Sequence, residues 1–124
     1  LLDLITPKRK PIAVKIDTQG AEPFVIAGGA KLLANASLLI MEIWPYGITR
    51  LGGSIEAIVS LLRDNFETVH LPVDGSGELP GRREPMSSQV ASARLIQMMG
   101  QKGDPSFYLD VVASNTVRDA IPQA

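Results

Sequence analysis

The alternation of apolar and polar positions divides the chain into short strands and amphipathic helices. Residues 12–17 alternate: Ile12, Val14 and Ile16 face one way, and Ala13, Lys15 and Asp17 the other. Pro11 opens this strand and Gly20 closes its turn. Residues 22–27 read as helix, with Pro23 tolerated in the first turn, where its missing donor has no partner anyway. Gly28 and Gly29 should end or bend it, and residues 30–34 add a further turn. Residues 37–44 are almost continuously apolar, the pattern of a buried strand that Pro45 ends. Ile55, Ile58, Val59 and Leu62 follow helical spacing, which predicts a helix over 55–65 with Ser54 as its cap. A third strand is expected at 66–71, a long exposed loop at 72–88, and a helix at 89–99 capped by Ser88 and stopped by Gly100. A last strand at 107–113 and a frayed tail at 115–124 complete the pattern.

The order is β-α-β-α-β, then a loop, a helix and a final strand. This is an α/β fold in which the first three strands run parallel, the crossovers being long enough for βαβ units. The direction of the last strand is open from pattern alone. A chain of 124 residues is enough for one small domain. Composition narrows function mainly by exclusion. With net charge −1 and no basic stripe, nucleic acid is not an expected partner. The absence of cysteine excludes disulfides, zinc–thiolate sites and a cysteine nucleophile. No apolar run approaches the roughly 20 residues that span a bilayer, so no membrane partner is expected. Residues 1–10 lack the order of a signal peptide, and a cytoplasmic location is the expectation.

The chemistry concentrates between Val14 and Glu42, VKIDTQGAEPFVIAGGAKLLANASLLIME. Each of two successive strands reaches a carboxylate near its carboxyl end, Asp17 and Glu42. In open α/β sheets that rim is where ligands bind. Asp17 is a candidate base or orienting acid for an acceptor hydroxyl; the alternative is a carboxylate bonded to the next turn. Glu42 lies in an apolar strand, where an unpaired charge is costly, so it needs a wet cleft or a partner such as Lys15. Gln19 can bond a substrate but cannot act as a carboxylate base. Glu22 suits the first turn of a helix, with substrate contact as the second reading. Trp44 and Tyr46 are candidates for one wall of an acceptor pocket. His70 is the only histidine, which gives no metal site. Arg82, Arg83 and Glu84 read as solvated loop. No Gly-x-Ser-x-Gly elbow is present to support a nucleophilic triad.

Residues 14–42 resemble the FkbM family of S-adenosylmethionine-dependent methyltransferases. The resemblance rests on Lys15, Ile16, Asp17, Gln19, Gly20, Glu22, Gly29, Ala30, Leu32, Leu33 and Glu42, with Leu2, Asp3 and Leu4 similar to a segment the family places upstream. It implies that residues 1–114 are the carboxyl-terminal half of a Rossmann-like methyltransferase domain. The four strands would be its fourth to seventh, in local order 4-5-7-6 with the last antiparallel. It implies methyl transfer to a small-molecule or glycan acceptor, at oxygen, with Asp17 and Glu42 catalytic and Gln19, Glu22, Trp44 and Tyr46 binding substrate. It also implies S-adenosylmethionine as cofactor. The family's glycine-rich cofactor loop has no counterpart, since Gly28-Gly29 falls inside a helical pattern and Gly52-Gly53 precedes a helix. The fragment alone is therefore expected to be inactive. The alternative is a non-enzymatic α/β interaction module that forms a homo-oligomer through the open edge of strand 12–17.

Overall fold

The computed structural model describes residues 12–72 and 83–116. Leu2, Asp3, Leu4, Pro11 and Arg82 lie outside the described residues, as do most of the expected loop and the tail beyond Thr116.

The chain forms an α/β fold around one mixed sheet of five strands. In order these are β1 (Ala13–Ile16), β2 (Leu38–Ile43), β3 (Thr68–Pro72), β4 (Arg83–Ser87) and β5 (Leu109–Ser114). Their spatial order is β1-β2-β5-β3-β4. β1 and β2 are parallel, while β5 is antiparallel to both β2 and β3. β3 therefore runs with β1 and β2, as the alternation predicts. Between them lie α1 (Glu22–Gly28), α2 (Ala30–Ala34), α3 (Pro45–Arg50), α4 (Glu56–Asn65) and α5 (Ser88–Met98).

Burial follows the strand period of two. Ile16, Leu39, Met41, Ile43, Val69, Leu71, Leu109, Val111 and Ala113 are buried on one face. Ile26, Leu33, Ile58, Val59, Leu61, Leu62, Ala91 and Leu95 from the helices join the same core. On the other face Ala13 and Lys15 are exposed, and Ile40, Glu42, His70, Asp110 and Val112 are half-buried. The run at 37–44 is thus covered on one face rather than buried on both.

Five expectations are corrected. Pro45 does not simply end a strand; it occupies the first turn of α3, where its fixed φ suits a helix start. Ile55, not Ser54, takes the cap position of α4, with no side-chain cap bond. The loop expected through residue 88 contains β4, which pairs antiparallel with β3 from Thr68↔Ser87 to Pro72↔Arg83. Ser87 rather than Ser88 caps α5, its Oγ accepting from the Val90 N–H at 3.3 Å. Ser88 faces the core at 5% exposure. Gly100 does not stop that helix; a 3₁₀ turn, Met99–Gln101, runs through it.

Asn115, placed in the tail by sequence, is instead a junction. Its N–H donates to Ser37 O at 2.9 Å and its Nδ2 to Asn65 O at 2.6 Å. Its Oδ1 accepts from the Glu67 N–H at 2.8 Å. One side chain thereby ties the start of β2, the α4–β3 join and the end of β5. Asn115→Ala leaves Asn65 O and Glu67 N without these partners and is expected to lower stability by about 1–3 kcal/mol in urea unfolding.

Candidate functional site

The carboxyl ends of β1 and β2 form the rim that the two acids were expected to share. Ile16 pairs with Met41, so the next residues along, Asp17 and Glu42, lie side by side on one face. Glu42 is also directly opposite Asp110 of β5. Burial and the nearby negative charges of Asp17, Asp110 and Glu22 push the Glu42 carboxyl above its ordinary range; Lys15 pulls slightly the other way. Asp17 is exposed, and the Gln19 side-chain amide donates to it at 3.4 Å.

Glu22 stands in the first turn of α1, the first of its two expected readings, and its carboxylate is bonded within the turn before that helix. It is fully buried. Its Oε2 accepts from Thr18 N–H at 2.7 Å and from Thr18 Oγ1 at 3.0 Å, and its Oε1 accepts from Gly20 N–H at 3.0 Å. These bonds hold a turn in which Gln19 and Gly20 have φ of 57° and 101°. The positive φ at Gly20 suits glycine, and so does its surrounding space. A Cβ there would stand 2.6 Å from the Gly47 carbonyl carbon.

Gly47 packs in turn on Trp44, where an added Cβ would lie 2.2 Å from ring atom Cε3. The Trp44 Nε1–H donates to Pro105 O at 2.8 Å. The indole is thus held by its edge and by one face. Tyr46 sits 5.7 Å from it, centroid to centroid, and its hydroxyl accepts from Arg50 Nη1 at 2.9 Å. Tyr46 lies behind the cleft lining, in contact with Trp44 and Arg50.

The cleft is open, of about 270 Å³, and lined by Gln19, Glu42, Trp44, Pro105, Ser106 and Tyr108. Sequence reasoning found the first three of these named acids, amides and rings and missed the last three. A signal existed: an antiparallel strand between β2 and β3 must begin at the rim where β2 ends, which brings 104–108 to the acids. There Asp104 Oδ1 accepts from Ser106 N–H at 2.9 Å and from Ser106 Oγ at 2.6 Å, and these bonds hold its carboxyl below the usual range.

Arg83 is corrected from solvated loop to a half-buried side chain of β4. It donates through Nη1 to the carbonyl oxygens of His70 and Asp110. Burial lowers the pKa of its guanidinium, and Asp110 counters that shift. Glu84 is exposed, 3.7 Å from Arg94, a surface pair of small energetic consequence. His70 lies in β3 opposite Pro85 and Val112. Among the described residues no group of three or more His, Cys, Asp or Glu could hold a metal, and no helix is long and apolar enough to cross a membrane.

No family model, curated protein or solved structure matches this chain.

The strain at Glu42 has a measurable sign. An acid whose pKa is raised by folding binds its proton more tightly in the native state. Stability is therefore lost as pH rises from the ordinary value of 4.5 through the raised one. Glu42→Gln is expected to be more stable than the parent at pH 8 and to lose that advantage below pH of about 4.5, as read by urea unfolding at the two pH values.

Proposed function

We propose that this chain is the acceptor-binding portion of a Rossmann-like S-adenosylmethionine-dependent methyltransferase of the FkbM type, acting on a hydroxyl oxygen. The observation that carries the reading is the pairing of parallel β1 and β2, which sets Asp17 and Glu42 beside each other at a cleft walled by Trp44. The order β1-β2-β5-β3, with β5 antiparallel, supports it, because it is the 4-5-7-6 arrangement that the resemblance implies.

Glu42 is the base in this reading. Its raised proton affinity suits a group that must take a hydroxyl proton near neutral pH and later release it. Asp17, beside Glu42 on the adjoining strand but outside the cleft lining, adds negative charge to the base, and Gln19 adds an amide at the cleft wall. Proximity and alignment supply most of such an acceleration, with the acceptor oxygen held against the base and away from competing orientations.

The residues present do not fit the adenosylmethionine itself. Gly28 and Gly29 join α1 to α2, and the Gly29 N–H is spent on Val25 O at 2.9 Å. Gly53 is a packing residue, where a Cβ would meet Pro23 Cγ at 3.2 Å. Neither pair follows a strand to cradle a cofactor. In this reading the cofactor's binding residues lie outside those described.

Titration calorimetry of this chain with adenosylmethionine is expected to show no tight binding; a tight, stoichiometric isotherm would sink the assignment of the cofactor site elsewhere. In the protein as encoded, labelled methyl from adenosylmethionine should reach a hydroxyl acceptor. Glu42→Gln should lower kcat by about 10²- to 10⁴-fold with cofactor affinity unchanged.

A second reading, an α/β interaction module, is favoured by one observation. Among the described residues β1 has a neighbour on one side only. Such an edge pairs readily with another chain. Under it, light scattering at high concentration shows a dimer that Val14→Pro disperses; a stable monomer counts against it.

A further inference from the structure

We infer that the cleft takes an acceptor whose reacting hydroxyl is carried beside a protonated amine, as in an amino sugar or a cyclic amino alcohol, with the ammonium seated between the Trp44 ring and the Glu42 carboxylate. The inference rests on the cleft being the acceptor site and names the class of acceptor.

It follows from counting what the lining can still offer. Trp44 has one donor, and Pro105 O consumes it. What the indole presents to the cleft is therefore its ring, stiffened by the Gly47 backbone behind it. The Ser106 hydroxyl gives its proton to Asp104 Oδ1, leaving only lone pairs. The Gln19 Nε2 gives one hydrogen to Asp17, leaving its second N–H and its carbonyl oxygen. Glu42, when ionised, only accepts. The described lining contains neither Lys nor Arg. With the Tyr108 hydroxyl and the second Gln19 N–H counted as donors, the lining still holds more acceptors than donors.

A carboxylate or phosphate ligand needs donors and meets few here. A neutral polyol uses the acceptors but leaves the negative field of Glu42, Asp17 and Asp110 answered only in part, by Lys15. An ammonium answers both demands, donating to the free oxygens while lying over an aromatic face. The volume, about 270 Å³, falls just under the range of roughly 300–1,000 Å³ common for drug-sized ligands, which favours a single ring over an oligomer.

Trp44 is the only tryptophan, so its indole N–H resonance reports on this cleft alone. The chain is titrated with D-glucosamine, D-glucose and D-glucuronate, the same ring bearing positive, no and negative charge. Ionic strength is constant and the pH keeps the amine protonated. Glucosamine is expected to move the Trp44 resonance with a Kd about tenfold below that of glucose, and glucuronate to bind weakest. N-acetylglucosamine, which keeps the ring and loses the charge, should fall back to glucose. Glu42→Gln should erase the gap between glucosamine and glucose, its fold verified by an unshifted Trp44 resonance before sugar is added. Glucose binding as tightly as glucosamine overturns the inference, as does glucuronate binding tightest or no sugar moving the resonance. The methyl-transfer reading fails on a separate readout. Charge discrimination without labelled-methyl transfer removes the reaction and keeps the ligand class; transfer to neutral hydroxyls without discrimination does the reverse.

Discussion

Glu22 is a buried carboxylate that makes no contact with the cleft, yet the cleft depends on it. Thr18 and Gly20 turn their N–H groups inward onto its two oxygens, and that holds the chain in a left-handed bend directly after β1. A carboxyl group buried in that position is tolerable because amides and a hydroxyl replace the water it gave up. With the bend set, Gly20 lies flat on the backbone of Gly47, and Gly47 lies flat on the ring of Trp44. Three layers, each lacking a side chain where the next layer must approach, fix the height of the indole relative to Glu42. The two glycines and the acid act as one unit, so their substitutions should not be additive.

The rim works against the stability of the fold. Glu42, Asp17 and Asp110 are brought together by strand register, and burial raises the proton affinity of Glu42 further. A core optimised only for stability would not align like charges across neighbouring strands. Arg83 relieves part of the cost from the far side, placing its cation next to Asp110 while bonding main-chain oxygens. Its bonds go to main-chain oxygens of β3 and β5 rather than to Glu42, and the acid facing the cleft stays the perturbed one. A perturbed acid at the edge of a cleft marks a candidate functional group.

The sequence pattern revealed the elements whose information is local. Strand 12–17, the break at Gly29, helix 55–65 and the parallel direction of the first three strands all follow from periodicity and punctuation. The two acids were placed on one rim by the same logic. What stayed hidden depended on partners distant in sequence. β4 has weak strand character, since Glu84 and Pro85 are poor strand formers, and only pairing with β3 makes it one. Asn115 reads as tail because nothing in its neighbours announces Asn65 O or Glu67 N. Glu22 reads as an ordinary first-turn acid because its burial comes from α1 packing down on the sheet. Of Ser87 and Ser88 either suits a cap, and the core decides by taking Ser88. The far wall of the cleft, 105–108, is legible only after β5 is known to enter antiparallel between β2 and β3.

That insertion has a consequence for how the site assembles. Trp44 and Pro105 are 61 residues apart in sequence, and their bond forms only when β5 has docked between strands already in register. Contacts of such separation come late and carry a large closure cost. The Glu22 bend, by contrast, spans four residues and closes early. The near side of the cleft is therefore built from local structure, and its far side from the last strand to join. A partly folded chain would present the acids of β1 and β2 without the Pro105 anchor, leaving Trp44 held by Gly47 alone. The ring becomes a fixed platform only in the complete sheet, which makes the shape of this rim a property of the finished fold rather than of the motif between Val14 and Glu42.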